Sequence, residues 1–448
     1  MRDLLPEEMR RRQHVFGVVR SVFESYGFEP LETPSCERLD VLLGKYGDEG
    51  DQLMFRVMHR RDKLRDAVVA LAQPGNDPER SLADMALRYD LTVPLARVFA
   101  EHQGKLPKVF KRLQMQPVWR ADRPQKGRFR EFWQCDVDVV GSTSRTVEVE
   151  VASAACDVLR KLGFTDFRVR ISHRGVLAGI VEAAGIPADL EGPTFVAIDK
   201  LDKIGKDGVL RELAARGVAP EASARIGGLL DPVDGGNAAE IARLRTFLTP
   251  SARGTAALDD LCATLRLAEG TSAAAHLSVD PSLARGLSYY TGPIFEVAVP
   301  DLAGSLGGGG RYDGLIGMFL GRDVPACGFS LGVERIVLVM EERGMFPAGI
   351  AAADVMVGQF DASLAADALR LAADLRAAGL RVDLHCDADK IGRQYKDADG
   401  RGIPCVALVG PDEVARGTVS LKHLKSGDRA DGPRAEAAAW VRSKLAAR

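Results

Sequence analysis

Between Phe129 and Gly141 the chain alternates with period 2, FREFWQCDVDVVG, the spacing of a strand with two unlike faces. One face carries Phe129, Glu131, Trp133, Cys135, Val137 and Val139, mostly core material, and the other carries Arg130, Phe132, Gln134, Asp136 and Asp138. That second face is too polar for ordinary packing, in a stretch too apolar for a sheet edge. At about 3.3–3.4 Å per residue, Phe132 and Asp138 stand roughly 20 Å apart on one surface, room for an extended small-molecule complex. Just upstream, Val118–Arg120 and a polar loop over 121–128, with Pro124 and Gly127, predict the other arm of a hairpin.

Elsewhere the periodicity changes. Residues 6–26 read as an amphipathic helix, with Pro6, Glu7 and Glu8 in its first turn and Val15, Val18, Val19, Val22 and Phe23 as its stripe. Gly27 stops it, and 28–34 is a short extended segment broken by two prolines. Residues 53–57 predict a strand, 85–99 a strand running into a helix, and 146–162 a helix. From 172 to 275 the texture turns rich in Ala, Gly and Leu with helical period, as in an inserted helical module. Strand-like, glycine-rich sequence returns at 283–300, 307–315 and 325–340. Gly, Pro and Ala collect at 344–353, and beyond them strands and a helix alternate as in a small α/β domain. The expected division is therefore 1–171 and 276–343 as the two parts of a core, 172–275 as the insertion, 344–353 as a linker and 354–448 as the C-terminal domain.

Composition adds mainly exclusions. The 448 residues carry a formal net charge of −2, so any anionic partner must be met by local patches. One such patch is the hairpin: from Lys105 to Arg130 the positions 105, 108, 111, 112, 120, 123, 126, 128 and 130 are Lys or Arg, against the single acid Asp122. The seven cysteines are scattered and never spaced CxxC, and no His pair has metal-ligand spacing, so neither a disulfide framework nor a metal site held by protein side chains is expected. No apolar run approaches a membrane span and the N-terminus has no leader pattern, so the expected location is the cytoplasm. There is no GxxxxGK[ST] string for phosphates. Three arginines stand in low-polarity settings instead: Arg120 at the hairpin, Arg285 in LARGLSYY, and Arg335 opening an apolar helix in GVERIVLVM. A guanidinium offers a planar fork to phosphate or carboxylate oxygens. Taken singly, each arginine fits a structural ion pair equally well, Asp138 a buried acid held by backbone donors, and Tyr290 a core residue.

Together, Arg120 with the hairpin through Asp138, LARGLSYYTG at 283–292, GGGGRYDGL at 307–315 and GFSLGVERI at 328–336 resemble the histidyl-tRNA synthetases, a family of class II aminoacyl-tRNA synthetases. The hairpin is similar to class II motif 2, the last string to motif 3, and the segment around Pro34 to motif 1. The resemblance covers essentially the whole chain. It implies an α+β fold, with a class II synthetase-like mixed, mainly antiparallel sheet, flanking helices, a helical insertion and a C-terminal α/β domain that binds the anticodon.

By the same resemblance, Arg120, Arg285 and Arg335 are the catalytic residues. Phe132 stacks on the adenine of ATP with Arg335 against the other face, Arg120 bridges the α-phosphate and the histidine carboxylate, and Arg285 holds the α-phosphate from the opposite side. Asp90, Thr92 and Gln134 take the α-ammonium group; Asp138 and Tyr290, with Tyr289 and Tyr312 nearby, read the imidazole. ATP is a substrate, Mg2+ accompanies its β- and γ-phosphates, tRNA(His) and histidine are the other partners, and a homodimer is expected. This chain departs from other members at Ser288, where many carry an acid, in carrying Asp rather than Glu at 90, 122 and 138, and in LRYDLT in place of RPEGT. Two rival classes remain open on sequence, a histidine-sensing regulatory relative and a tRNA-binding module without catalysis. The presence of 354–448 and of all three arginines counts against the first, and the polar strand face against the second.

Overall fold

The structure, a computed structural model, describes residues 1–71, 81–231, 233–284, 289–302, 304–347 and 350–446. They form two compact units, Met1–Arg2 with Val15–Arg343 and Asp3–His14 with Gly344–Arg448.

The first unit is organised on an eight-stranded sheet. Across it the strands run Glu29–Pro30, Phe110–Trp119, Glu131–Val140, Ala326–Gly332, Ser305–Arg311, Pro293–Ala298, Arg168–His173 and Leu277–Val279. Pairing is antiparallel except at the two edges, where Glu29–Pro30 and Leu277–Val279 join parallel. The mixed, mainly antiparallel sheet of the sequence reading is therefore present. Its hairpin is longer than expected: the first arm begins at Phe110, and all ten of its residues pair with Glu131–Val140.

The two faces are chemically distinct. On the back, Cys135, Val137, Val139, Phe329 and Leu331 are buried beneath the helix Thr146–Lys161, whose Val147, Val151, Val158 and Leu159 are apolar and buried. Two ion pairs pin that helix, Lys111 to Glu150 at 2.5 Å and Arg311 to Glu148 at 2.5 Å. On the front, a three-stranded sheet of Cys36–Arg38, Ala83–Leu87 and Arg56–Met58 and the helix Thr92–His102 share a core with Phe110, Val140 and Ala326. Residues 174–268 are almost wholly helical, between the strand Arg168–His173 and the edge strand Leu277–Val279.

The second unit holds a five-stranded sheet in the order Val382–Leu384, Val355–Gln359, Cys405–Val409, Thr418–His423, Arg429–Pro433, parallel for the first three and antiparallel after. Its strands carry near-continuous apolar runs where helices cover them, as in Val355–Gln359, which is buried throughout. Between its third strand in sequence and the one before it lies the helix Ile391–Gly400, of which Gln394 and Ala398 are buried.

Candidate active site

Register builds the site. Directly paired residues in an antiparallel sheet project from the same face. Arg112 faces Asp138, Gln114 faces Asp136, Gln116 faces Gln134 and Val118 faces Phe132; on the other flank Gly328, Ser330 and Gly332 oppose Asp138, Asp136 and Gln134. One front surface thus carries Phe132, Gln134, Asp136 and Asp138 in line, walled by polar side chains on one side and floored by small residues on the other. Gly328 is small of necessity: a Cβ there would lie 2.0 Å from Asp138 Oδ1.

At the Asp138 end the side chains close into a ring. Asp138 is 2% exposed, its Oδ1 accepts from the Tyr312 hydroxyl, and its Oδ2 lies 2.9 Å from Arg112 Nη2. Tyr289 packs edge-on against both Tyr290 and Tyr312, with ring centroids 5.0 and 5.9 Å apart. Asp90 sits just ahead of the helix Thr92–His102, where its Oδ1 accepts from the Val93 N–H at 3.1 Å and the Tyr46 hydroxyl at 2.9 Å, and its Oδ2 from the Tyr289 hydroxyl at 3.3 Å. A carboxylate at a helix N-terminus is stabilised there by the helix dipole. Thr92 opens the helix that Asp90 precedes. Gln134 donates from Nε2 to Ser330 Oγ at 2.9 Å, and its buried Oε1 is without a hydrogen-bond partner.

Burial dominates the electrostatics of this end. It pushes the carboxyls of Asp90, Asp136 and Asp138 up, with Arg112 pulling the last two back and Arg120 the first, and Asp136 comes to about 7. The phenols of Tyr46, Tyr289, Tyr290 and Tyr312 are driven up as well, by burial first and neighbouring acids second, so they stay neutral hydrogen-bonding groups. Acids and neutral phenols set close together can satisfy a group bearing both an N–H and a bare nitrogen, or an ammonium.

The Phe132 end is more open and cationic. Arg120 lies half-buried with its guanidinium 5.2 Å from the Phe132 ring centroid and 4.3 Å from that of Tyr89, and its Nε donates to the Tyr89 carbonyl at 3.0 Å. Cations over aromatic faces at such distances attract the ring quadrupole. Arg335, three residues past the strand end beside Gln134, donates from Nη1 to the Ser305 carbonyl at 2.6 Å and from Nε to the Gly127 carbonyl at 3.4 Å. The guanidinium nearest the Phe132 ring is that of Arg120. Arg285 and Ser288 lie outside the described residues. Among the described residues no group of three or more His, Cys, Asp or Glu side chains could hold a metal ion.

Four residues of this surface were not singled out from sequence. Tyr46 and Tyr89 pack with tilted rings, centroids 4.6 Å apart, and carried no pattern of their own. Arg112 had been counted with the basic hairpin, yet it is fully buried beneath Asp138. Extending the alternation upstream of the 121–128 loop would have found it, because Phe110, Arg112, Gln114, Gln116 and Val118 share one face. Arg88 is also fully buried; its guanidinium ties the carbonyls of Thr33 and Pro117 at 2.5 and 2.8 Å and Gln116 Oε1 at 3.0 Å, anchoring the backbone that leads into Tyr89 and Asp90.

Comparison with known proteins adds to this geometry. A family model described as histidyl-tRNA synthetase matches residues 1–71 and 76–336, and one described as anticodon binding domain matches residues 352–444. The histidine–tRNA ligase of Christiangramia forsetii is 44% identical over 436 residues, covering 96% of this chain and 95% of that protein. The crystal structure of histidyl-tRNA synthetase from a Nostoc species is similar with a TM-score of 0.82 at 29% identity, covering 99% of this chain and 97% of that one. A Bacillus halodurans structure described as an ATP phosphoribosyltransferase regulatory subunit/histidyl-tRNA synthetase has a TM-score of 0.70 at 22% identity over 88% of this chain and 94% of that one, a likeness of fold alone.

Proposed function

Because the chain belongs to the histidyl-tRNA synthetase family, we propose that its front sheet surface lays histidine at the Asp138 end and ATP at the Phe132 end. The protein is a histidine–tRNA ligase: it activates histidine with ATP to histidyl-adenylate and pyrophosphate, then passes the histidyl group to the 3′ end of its tRNA.

In the first step a histidine carboxylate oxygen attacks the α-phosphorus in line, and the bond to the pyrophosphate oxygen breaks. Negative charge spreads over the phosphoryl oxygens, so positioning and preorganised cations carry the catalysis. Arg120, between Tyr89 and Phe132, is assigned to the junction of α-phosphate and carboxylate, with Arg285 on the opposite side. Phe132 supports the adenine, and Arg335 serves the nucleotide end. Asp90, Thr92 and Gln134 receive the α-ammonium group; Gln134 brings a buried, unpartnered oxygen suited to an N–H donor. Asp138 and Tyr290, with Tyr289 and Tyr312 around them, read the imidazole, and a site built on such polar atoms rejects an analogue lacking them by roughly 10⁴–10⁵.

Mg2+ is proposed to accompany the phosphates of ATP, and no step is assigned to it. Residues 354–448 are proposed to bind the anticodon, 172–275 to be a separate insertion domain, and 1–171 with 276–343 to be the catalytic core. A homodimer and a cytoplasmic location complete the reading; among the described residues no helix is long and apolar enough to cross a membrane.

The observation that carries the assignment is the shared face: Phe132, Gln134 and Asp138 lie in line on one strand, Tyr312 bonds to Asp138, and Tyr289 joins Tyr312, Tyr290 and Asp90 at that end. Histidine-dependent exchange of pyrophosphate into ATP tests it. Exchange with histidine, and none with an analogue lacking the ring N–H, is expected; histidine binding without exchange would leave only a sensing role.

A further inference from the structure

We propose that Arg112 is a positioning residue for histidine recognition: it acts through Asp138, holding that carboxylate ionised and fixed in orientation, while Asp136 competes for the same guanidinium. The proposal rests on the reading of Asp138 as the partner of the imidazole.

Arg112 stands in mid-strand with no part of it exposed. Taking a guanidinium out of water costs several kcal/mol, and hydrophobic residues of similar volume commonly serve stability as well or better. A cation kept at this position therefore asks for a role beyond packing. Its placement supplies one. Nη2 lies 2.9 Å from Asp138 Oδ2 and donates to the Leu91 carbonyl at 3.2 Å, so the backbone between Asp90 and Thr92 orients the fork. Nη1 stands 3.7 Å from Asp136 Oδ2, beyond a hydrogen bond. One guanidinium thus touches the acid assigned to the imidazole and the segment assigned to the α-ammonium group.

From the far side the Tyr312 hydroxyl donates to Asp138 Oδ1, and the missing side chain at Gly328 leaves that oxygen its space. Oδ1 is thus held by a hydrogen bond, while Oδ2 meets Arg112 as an ion pair and takes no hydrogen bond, leaving it open to a ligand donor. Among the described residues, the groups facing Asp138 are Arg112, Tyr312, Tyr290, Asp90, Cys327 and, on its own strand, Asp136. Of these Arg112 is the one cation. Without it, burial and two neighbouring acids would favour the protonated carboxyl, a poorer acceptor for the imidazole N–H. Asp136 stands farther from the same cation, and burial pushes its carboxyl up to about 7.

The test measures pyrophosphate exchange by the full-length protein against histidine, ATP and pH, for Arg112→Gln, Asp138→Asn and the double variant. Arg112→Gln is expected to raise the KM for histidine about 10- to 100-fold, the range for a hydrogen bond to a charged group, with the KM for ATP unchanged. The ratio of variant to wild-type KM should fall as pH rises and Asp138 regains its charge. In the Asp138→Asn background the same change should add little, because the partner through which it acts is gone. Additive losses, or equal rises in both KM values, would overturn the proposal, since either marks a general structural role. An unchanged histidine KM in Asp138→Asn alone would instead remove the reading of Asp138, and the proposal with it. Should Arg112→Gln fail to fold, Arg112→Lys keeps the charge and loses the fork; an intermediate histidine KM supports the proposal, and a wild-type value overturns it.

Discussion

The two ends of the front surface solve different problems. At the Asp138 end, two acids and four tyrosines hold one another through hydrogen bonds and ring edges, nearly sealed from water, before any ligand is present. At the Phe132 end the arginines are half-buried and lean on rings and backbone carbonyls. The first arrangement is built to discriminate, because a wrong ligand leaves buried polar atoms unpaired. The second is built to neutralise charge that appears only as the phosphoryl group moves. Recognition needs rigidity and burial; catalysis needs cations near a site that a large, hydrated nucleotide can still enter.

Substitutions can break that contrast. The largest effect is expected from Arg285→Ala, which should slow adenylation by about 10²–10³, as removal of one transition-state donor does elsewhere, with the fold unaltered by circular dichroism; an unchanged single-turnover rate would take Arg285 out of the mechanism. Asp138→Ala should come next, raising the histidine KM by about 10- to 100-fold while the ATP KM holds. Equal rises in both would mean that the two ends are not separate. Phe132→Ala should do the reverse at smaller cost, weakening ATP by about tenfold or less, the worth of one aromatic stack on a base, and a change confined to histidine would contradict the placement of adenine.

The smallest catalytic effect is expected from Asp136→Asn, whose signature lies in stability. Burial raises the Asp136 carboxyl to about 7, so the folded protein holds a proton that the unfolded chain has released. This group therefore contributes a loss of stability as pH rises from about 4 to about 7, and no further change above that. Urea midpoints for Asp136→Asn should fall less than those of the native protein across that window; parallel profiles would show that Asp136 is ionised in the fold.

Much of this was legible in advance, and the misses share a cause. Alternation in FREFWQCDVDVVG placed Phe132, Gln134 and Asp138 on one face, and register confirms that shared face. Helical stripes located Pro6–Ser25 and Thr146–Lys161 to within a residue or so. The helix Ile391–Gly400 escaped because only Gln394 and Ala398 of it are buried. Arg112 was misread as part of a basic surface because sequence neighbours such as Lys108 and Lys111 are cations of a different kind: Lys111 points to the back of the sheet and meets Glu150, whereas Arg112 points forward into the interior.

By itself the sequence determined the periodicities, and so which side chains of a strand or helix face the same way, because that depends only on local backbone geometry. It also carried the strings that mark the family. Which strand lies beside which was decided only in the tertiary structure, where Phe110–Trp119 and Ala326–Gly332 flank Glu131–Val140 and bring Arg112, Tyr312 and Gly328 around Asp138. Such encounters join residues up to about two hundred positions apart, and the balance of burial against a neighbouring charge that sets each carboxyl's proton exists only once the chain has closed around it.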